Sequence, residues 1–167
     1  MKTESIEAGT SVAGLTSLLG LAGWLVLCFG VAAFGAQFQP GEWYASLKKP
    51  AWNPPSWIFG PVWTALYTMM AVAAWLIWKR GGFNARKLPL GLFLLQLWFN
   101  ALWSWLFFGR HQPAMAFVDI LLLWLSLLAT IAAFRKVSGV AAWLLVPYLL
   151  WVGFAAALNF ALWRLNP

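Results

Sequence analysis

The stretch "KKPAWNPPSWIFGPVWTALYTMMAVAAWLIW", Lys48 to Trp78, changes character partway. It opens on two lysines and mixes prolines with tryptophans as far as Pro61, yet from Trp57 to Trp78 it carries no charge. That uncharged run is long enough to cross a hydrocarbon core of roughly 30 Å at about 1.5 Å per residue. In lipid every backbone N–H and C=O needs an internal partner, so a crossing segment is a helix or part of a closed barrel. Barrel strands alternate apolar and polar residues with period two, and this run does not. It reads as a membrane helix entered through a stiff aromatic collar.

The same reading extends along the chain. Residues 12–36, 57–78, 88–109, 113–134 and 137–163 form five apolar runs, and Asp119 is the only charge inside any of them. The chain is 63% hydrophobic and 9% charged, where soluble domains are about 25% charged. The expectation is an all-α integral membrane bundle of five transmembrane helices, one domain over residues 1–167, with a long structured loop at 37–56. No room is left for a separate soluble domain. The first run is too long for a cleaved signal peptide, and Lys2 is followed by Glu4 and Glu7 rather than by more basic residues.

The net charge of +7 points to topology rather than to nucleic acid, because the basic residues are scattered through short links. Seven fall on one side (Lys2, Lys79, Arg80, Arg86, Lys87, Arg135 and Lys136) and four on the other (Lys48, Lys49, Arg110 and Arg164). The positive-inside rule puts the seven in the cytoplasm. Cys28 is the only cysteine, so no internal disulfide or cysteine metal set is available, and it reads as a small packing residue. No metal and no resident cofactor are expected.

The loop at 37–56 is long for a compact domain and reads as a lid. Its "GEWYASLKK" segment predicts a short amphipathic helix on the membrane surface, with Trp43 and Leu47 sharing one face. Pro61 suits a first helical turn, and Pro147 should kink the fifth span. Polar residues inside the spans fall into stripes: Gln96, Asn100 and Ser104; Tyr148, Trp151, Ala155 and Asn159; Trp63 and Tyr67. Such residues face the bundle interior or a cavity, so the stripes should converge. For Gln96 and Ser104 the favoured role is interhelical hydrogen bonding. For Asn100, Trp63 and Trp151 together it is a cavity wall.

Asp119 is expected to form an ion pair with Arg110 or to be a protonated, hydrogen-bonded acid, with a proton relay as the alternative. His111 reads as a solvated loop residue. Trp57, Trp75, Trp78, Trp143 and Trp163 lie near span ends, as interfacial tryptophans do. Trp98, Trp103, Trp124 and Trp151 lie deeper and read mostly as core.

Five motifs carry a resemblance: "EWYASLKKPAWNPP" (42–55), "PVWTALY" (61–67), "QLWFNALWSWLFFG" (96–109), "VDILLLW" (118–124) and "VPYLLWVGFAAALN" (146–159). They resemble the tryptophan-rich sensory proteins of bacteria and their mitochondrial relatives, the translocator proteins or peripheral benzodiazepine receptors. The resemblance implies a five-helix bundle, commonly a homodimer, whose first loop closes a pocket. It implies binding of porphyrins (protoporphyrin and haem-type tetrapyrroles) and of benzodiazepine- or isoquinoline-type ligands, in a sensor of tetrapyrrole or stress responses. The matching ligand-binding positions are Trp63 and Trp151, with Tyr44, Trp52, Pro54, Asn100 and Tyr148 around them and Ala155 shaping the pocket. Lys48 or Lys49 is placed to meet porphyrin carboxylates.

Two alternatives accompany that reading. One is a light- and oxygen-dependent degradation of protoporphyrin assisted by Trp63 and Trp151; the chain offers no nucleophile–base pair or carboxylate pair for conventional catalysis. The other is transport of porphyrin or sterol. Sterol binding is disfavoured, because the family's sterol motif needs a tyrosine where this chain has Phe160. The short tail after Trp163 points to a bacterial cell-membrane member.

Overall fold

The computed structural model describes residues 2–38 and 40–167, with side chains from Gly14 onward. Among the described residues there is no strand, and five helices are long and apolar enough to cross a membrane. These are span 1 (Gly14–Gly35), span 2 (Ser56–Trp78), span 3 (Lys87–Gly109), span 4 (Pro113–Arg135) and span 5 (Gly139–Leu165). The links from span 3 to span 4 and from span 4 to span 5 are short, so successive helices run antiparallel. Span 1 packs on spans 2 and 3, span 4 on spans 3 and 5, and the start of span 5 on span 2. The helices therefore close into a ring in the order 1-2-5-4-3.

The end carrying most of the basic residues is tightly packed. Span 2 contributes Ala71, Ala73, Ala74 and Ile77, all fully buried, and its alanines let neighbouring backbones approach. Trp78 lies flat against Gly20, where an added Cβ would stand 2.2 Å from Cζ3 of the indole. Trp75 Nε1 donates to the Ser17 carbonyl at 2.8 Å. Phe93 stacks on Phe134 with centroids 6.0 Å apart, and Trp24 meets Phe93 edge-on at 5.6 Å.

Pro147 breaks the fifth span as its chemistry requires, since proline has no N–H to donate and its ring crowds the preceding turn. One segment runs Gly139–Leu144, capped by Ser138, whose Oγ accepts from the Ala141 N–H at 3.4 Å. A second runs Val146–Leu165 with Pro147 in its first turn. Span 2 packs on the first segment and scarcely on the second. The two helices thus part toward the lid, and that divergence makes room for a cavity.

Span 3 ends in a widened π turn, Trp105–Gly109, with the Arg110 N–H donating five residues back to Trp105 at 2.8 Å. Several expectations change around it. The lid helix is only Glu42–Ser46, and Leu47 is already extended (φ −63°, ψ 141°), so Trp43 and Leu47 do not share a helical face. Trp43 instead stacks on His111 at 4.3 Å and meets Phe107 edge-on at 5.6 Å. His111, at φ 53°, is therefore exposed but not merely solvated.

Asp119 is 4% exposed, and neither of its oxygens has a hydrogen-bond partner. The expected ion pair with Arg110 is absent. Asp119 lies about 9 Å along span 4 from its first residue, whereas the Arg110 guanidinium sits over the Trp105 ring at 5.6 Å. Gln96 is also fully buried with both amide atoms unpartnered, and the Ser104 hydroxyl turns back to the Asn100 carbonyl of its own helix at 3.5 Å. Neither residue provides the expected interhelical bond: the Ser104 hydroxyl is taken up by its own helix, and the Gln96 amide is buried without a partner. Trp98 also departs from its assignment to the core: it is 58% exposed, on the outer face of span 3.

The link after span 2 turns on Gly81, whose φ of 133° suits glycine alone and whose added Cβ would stand 2.8 Å from Cβ of Ala85. Gly81→Ala is expected to cost about 1–3 kcal/mol, read as a lowered thermal midpoint in detergent. An unchanged midpoint would show that this link rearranges freely.

Candidate functional site

At the lid end, where spans 2 and 5 part, the bundle encloses a cavity of about 960 Å³. That is near the top of the roughly 300–1,000 Å³ range of small-molecule pockets. Every span except the fourth lines it, and the lid covers it with Pro40, Tyr44, Lys49, Asn53, Pro54 and Pro55.

The lid is pinned at several points. Tyr44 Oη donates to Asn53 Oδ1 at 3.2 Å, and Asn53 Nδ2 donates to the Pro54 carbonyl at 3.1 Å. The Lys48 N–H donates to Asn166 Oδ1 at 2.9 Å while Asn166 Nδ2 donates to the Lys48 carbonyl at 3.0 Å. This paired contact ties the lid to the end of span 5. Prolines stiffen the segment between these anchors, lowering the entropy that an unbound lid would otherwise have.

Trp63 and Trp151 form the deep corner of the cavity. Their ring centroids are 6.5 Å apart with planes at 87°. A flat ligand stacked between two parallel rings needs about 7–8 Å, two contact distances of 3.5–4.0 Å. The pair is therefore a right-angled corner, offering a face from one indole and an edge from the other, and not a sandwich. Trp63 also lies against Tyr67 at 5.5 Å and meets Tyr148 edge-on at 6.2 Å, which fixes its plane.

Of the residues singled out from sequence, Tyr44, Pro54, Trp63, Trp151 and Ala155 line the cavity. Asn100 and Tyr148 are brought to the same place but stand behind its wall. Tyr67 Oη donates to Asn100 Oδ1 at 2.5 Å, and Asn100 Nδ2 donates to Tyr148 Oη at 2.8 Å. The stripes of spans 2, 3 and 5 do converge, with Asn100 as the knot that joins them. Trp52 lies outside the lining, 50% exposed, packed edge-on against Phe154 at 5.8 Å. Its indole helps hold the lid down from outside.

Other contributors went unnoticed in the sequence. Phe29 and Ala32 of span 1 and Phe107 of the π turn line the cavity; nothing distinguishes them from other apolar span residues. Asn166 sits 118 positions from the lid backbone it holds, a pairing with no local signal.

The cavity lining is mainly aromatic and aliphatic. Among the described residues, Lys49 is its basic residue, and no acidic side chain lines it. The Lys49 ammonium donates to the carbonyls of Ala45 at 3.0 Å and Leu47 at 3.2 Å, and lies over the Tyr44 ring at 4.9 Å. Burial raises the Tyr44 phenol above its ordinary range, against a smaller lowering by its bond to Asn53, so it stays a neutral donor. Among the described residues no His, Cys, Asp and Glu cluster could hold a metal. The site suits a flat, apolar molecule with an anionic or carbonyl group toward the lid.

Comparison with known proteins follows the same line. The pattern of the TspO/MBR family matches residues 16–164. The translocator protein of Ovis aries is 50% identical over 137 residues, covering 79% of this chain and 81% of that one. The tryptophan-rich protein TspO of Chlorobaculum tepidum is 45% identical over 157 residues, covering 90% and 98%. The tryptophan-rich sensory protein of Cereibacter sphaeroides is 41% identical over 143 residues, covering 86% and 89%.

Proposed function

The chain belongs to the TspO/MBR family, and on that premise we propose that it is a membrane sensor that binds a porphyrin in the lid-covered cavity. The observation that carries this reading is the right-angled corner of Trp63 and Trp151 inside a cavity of about 960 Å³ with Lys49 on the lid side. One indole face stacks on the macrocycle and the other indole meets it edge-on, a geometry that aromatic pairs favour. Lys49 meets a propionate at the mouth. Of the two lysines named from sequence, only Lys49 lines the cavity; the Lys48 backbone is engaged by Asn166. Benzodiazepine- and isoquinoline-type ligands, also flat and largely apolar, fit the same corner.

The protein is multi-pass, and the proposal sets it in a bacterial cell membrane with the basic end in the cytoplasm. A homodimer through the outer face of span 3, where Leu95 and Trp98 are exposed, belongs to the same reading. Sterol binding remains disfavoured by Phe160, which packs against Phe117 and Trp163.

Titration of the detergent-solubilised protein with protoporphyrin in the dark, followed by tryptophan fluorescence, tests the site. The expected result is saturable quenching whose Kd rises roughly tenfold or more in Trp63→Phe/Trp151→Phe, since each indole contributes about 0.5–1.5 kcal/mol beyond its area. Non-saturable quenching shared by both proteins would mean partitioning into the micelle and would remove the proposal.

A further inference from the structure

The opposite end of the bundle carries a second, shallower groove of about 300 Å³ between the last turns of span 4 and the first turns of span 5. Ile131 and Arg135, four residues apart on span 4, form one wall; Gly139, Ala142, Trp143 and Val146, at three-to-four spacing, form the other. The break at Leu145 separates Gly139–Leu144 from the rest of span 5, and the groove lies along that short segment. Gly139 lines the groove, and a Cβ there would meet nothing within 4 Å, so a larger side chain has room to project.

Its polarity is graded along the membrane normal. Arg135, the last residue of span 4, lies at the surface end of the groove; Ile131, Ala142 and Trp143, the last 74% exposed, lie about one turn in, and Val146 lies deeper. Arg135 is exposed and has no acidic partner among the described residues. Of the acids described there, Glu42 belongs to the lid at the other end, and Asp119 is buried with both oxygens unpartnered. Two further cations converge on the same link. Arg80 donates from Nη1 to the Val137 carbonyl, and Lys136 follows Arg135 directly.

We propose that this groove binds one anionic phospholipid. The Arg135 guanidinium holds the phosphate, whose oxygens match its planar fork of donors. The upper acyl chain lies along Ala142 and Val146, and the Trp143 indole covers the glycerol region at the depth interfacial tryptophans occupy. Arg80, held at this link by its bond to the Val137 carbonyl, supplies the additional positive field that favours an anionic over a zwitterionic headgroup, as basic pockets between membrane helices do. Free phosphate would satisfy Arg135 and leave the apolar floor empty.

Native mass spectrometry of the full chain, released from detergent and titrated with phosphatidylglycerol, phosphatidylcholine or inorganic phosphate, tests this. The expected result is a single saturable phosphatidylglycerol adduct, tighter than phosphatidylcholine and not displaced by inorganic phosphate. Arg135→Gln should weaken it about tenfold, the worth of one charge-assisted contact, and Gly139→Leu should weaken it by filling the groove. Lys136→Gln, outside the lining, should change it less than about twofold. Far-UV circular dichroism and the thermal midpoint report that each variant is folded, and Arg135→Lys, which keeps the charge, should retain part of the preference. Equal weakening by Arg135→Gln and Lys136→Gln would reduce the groove to a diffuse basic belt. Equal affinity for the two lipids, or displacement by inorganic phosphate, would equally overturn the proposal.

Discussion

Ala155→Trp is expected to abolish saturable protoporphyrin binding, raising Kd at least about 100-fold, a loss of roughly 2.7 kcal/mol. Ala155 lies four residues after Trp151 on span 5 and lines the cavity. An indole there projects into the space beside the Trp63–Trp151 corner, and tryptophan side chains bury about 150–250 Å². Overpacking normally destabilises a core. Here the added ring enters unfilled volume, so the helix content and thermal midpoint should be kept. The measurement is the dark quenching titration, paired with far-UV circular dichroism. Wild-type affinity in a folded Ala155→Trp protein would place the ligand somewhere other than this cavity.

Asn100→Leu is expected to be the most damaging single change to the bundle, at about 2–4 kcal/mol. Asn100 is 3% exposed and makes two side-chain bonds, accepting from Tyr67 and donating to Tyr148. Interhelical hydrogen bonds in membranes average only about 0.6 kcal/mol and reach about 1.7. Leucine, however, also strands two buried phenols, and an unsatisfied buried polar group costs about 1–3 kcal/mol. Tyr148→Phe deletes only one of the two bonds and should cost about 1 kcal/mol. Unfolding in a denaturing detergent compares the two variants. An Asn100→Leu protein as stable as Tyr148→Phe would mean that Tyr67 and Tyr148 find other partners, and Asn100 would not be the knot joining spans 2, 3 and 5.

Much of the architecture was legible because a bilayer leaves a long uncharged run few choices. The five spans and the break at Pro147 follow from constraints acting within one helix, and the polar stripes were expected to meet because such residues face the bundle interior. Trp63, Trp151 and Ala155, which line the cavity, were readable as candidates from their spacing together with the family resemblance. Other residues misled for a physical reason. Trp98 has the same apolar character whether it faces lipid or core, since both solvents accept an indole, and its spacing does not separate them. Asp119 and Gln96 look obliged to find partners, yet each is buried without one. Leu47 reads as the last turn of a lid helix, but the chain leaves that helix at Ser46, one residue earlier.

Composition and periodicity alone determined the solvent, the helix count and the crowding of basic charge at one end, since each depends on runs of residues contiguous in the chain. Tertiary structure decided the shape of the site. The two indoles meet at 87° and do not face each other. Asn100 stands behind the wall, Trp52 lies on the lid but outside the cavity lining, and Asn166 holds that lid from 118 residues away. Such features depend on how far spans 2 and 5 diverge after the break at Leu145, and on the rotation of each helix about its own axis. Crossing geometry of this kind is set by side chains packing between elements, and no local pattern in the chain encodes it.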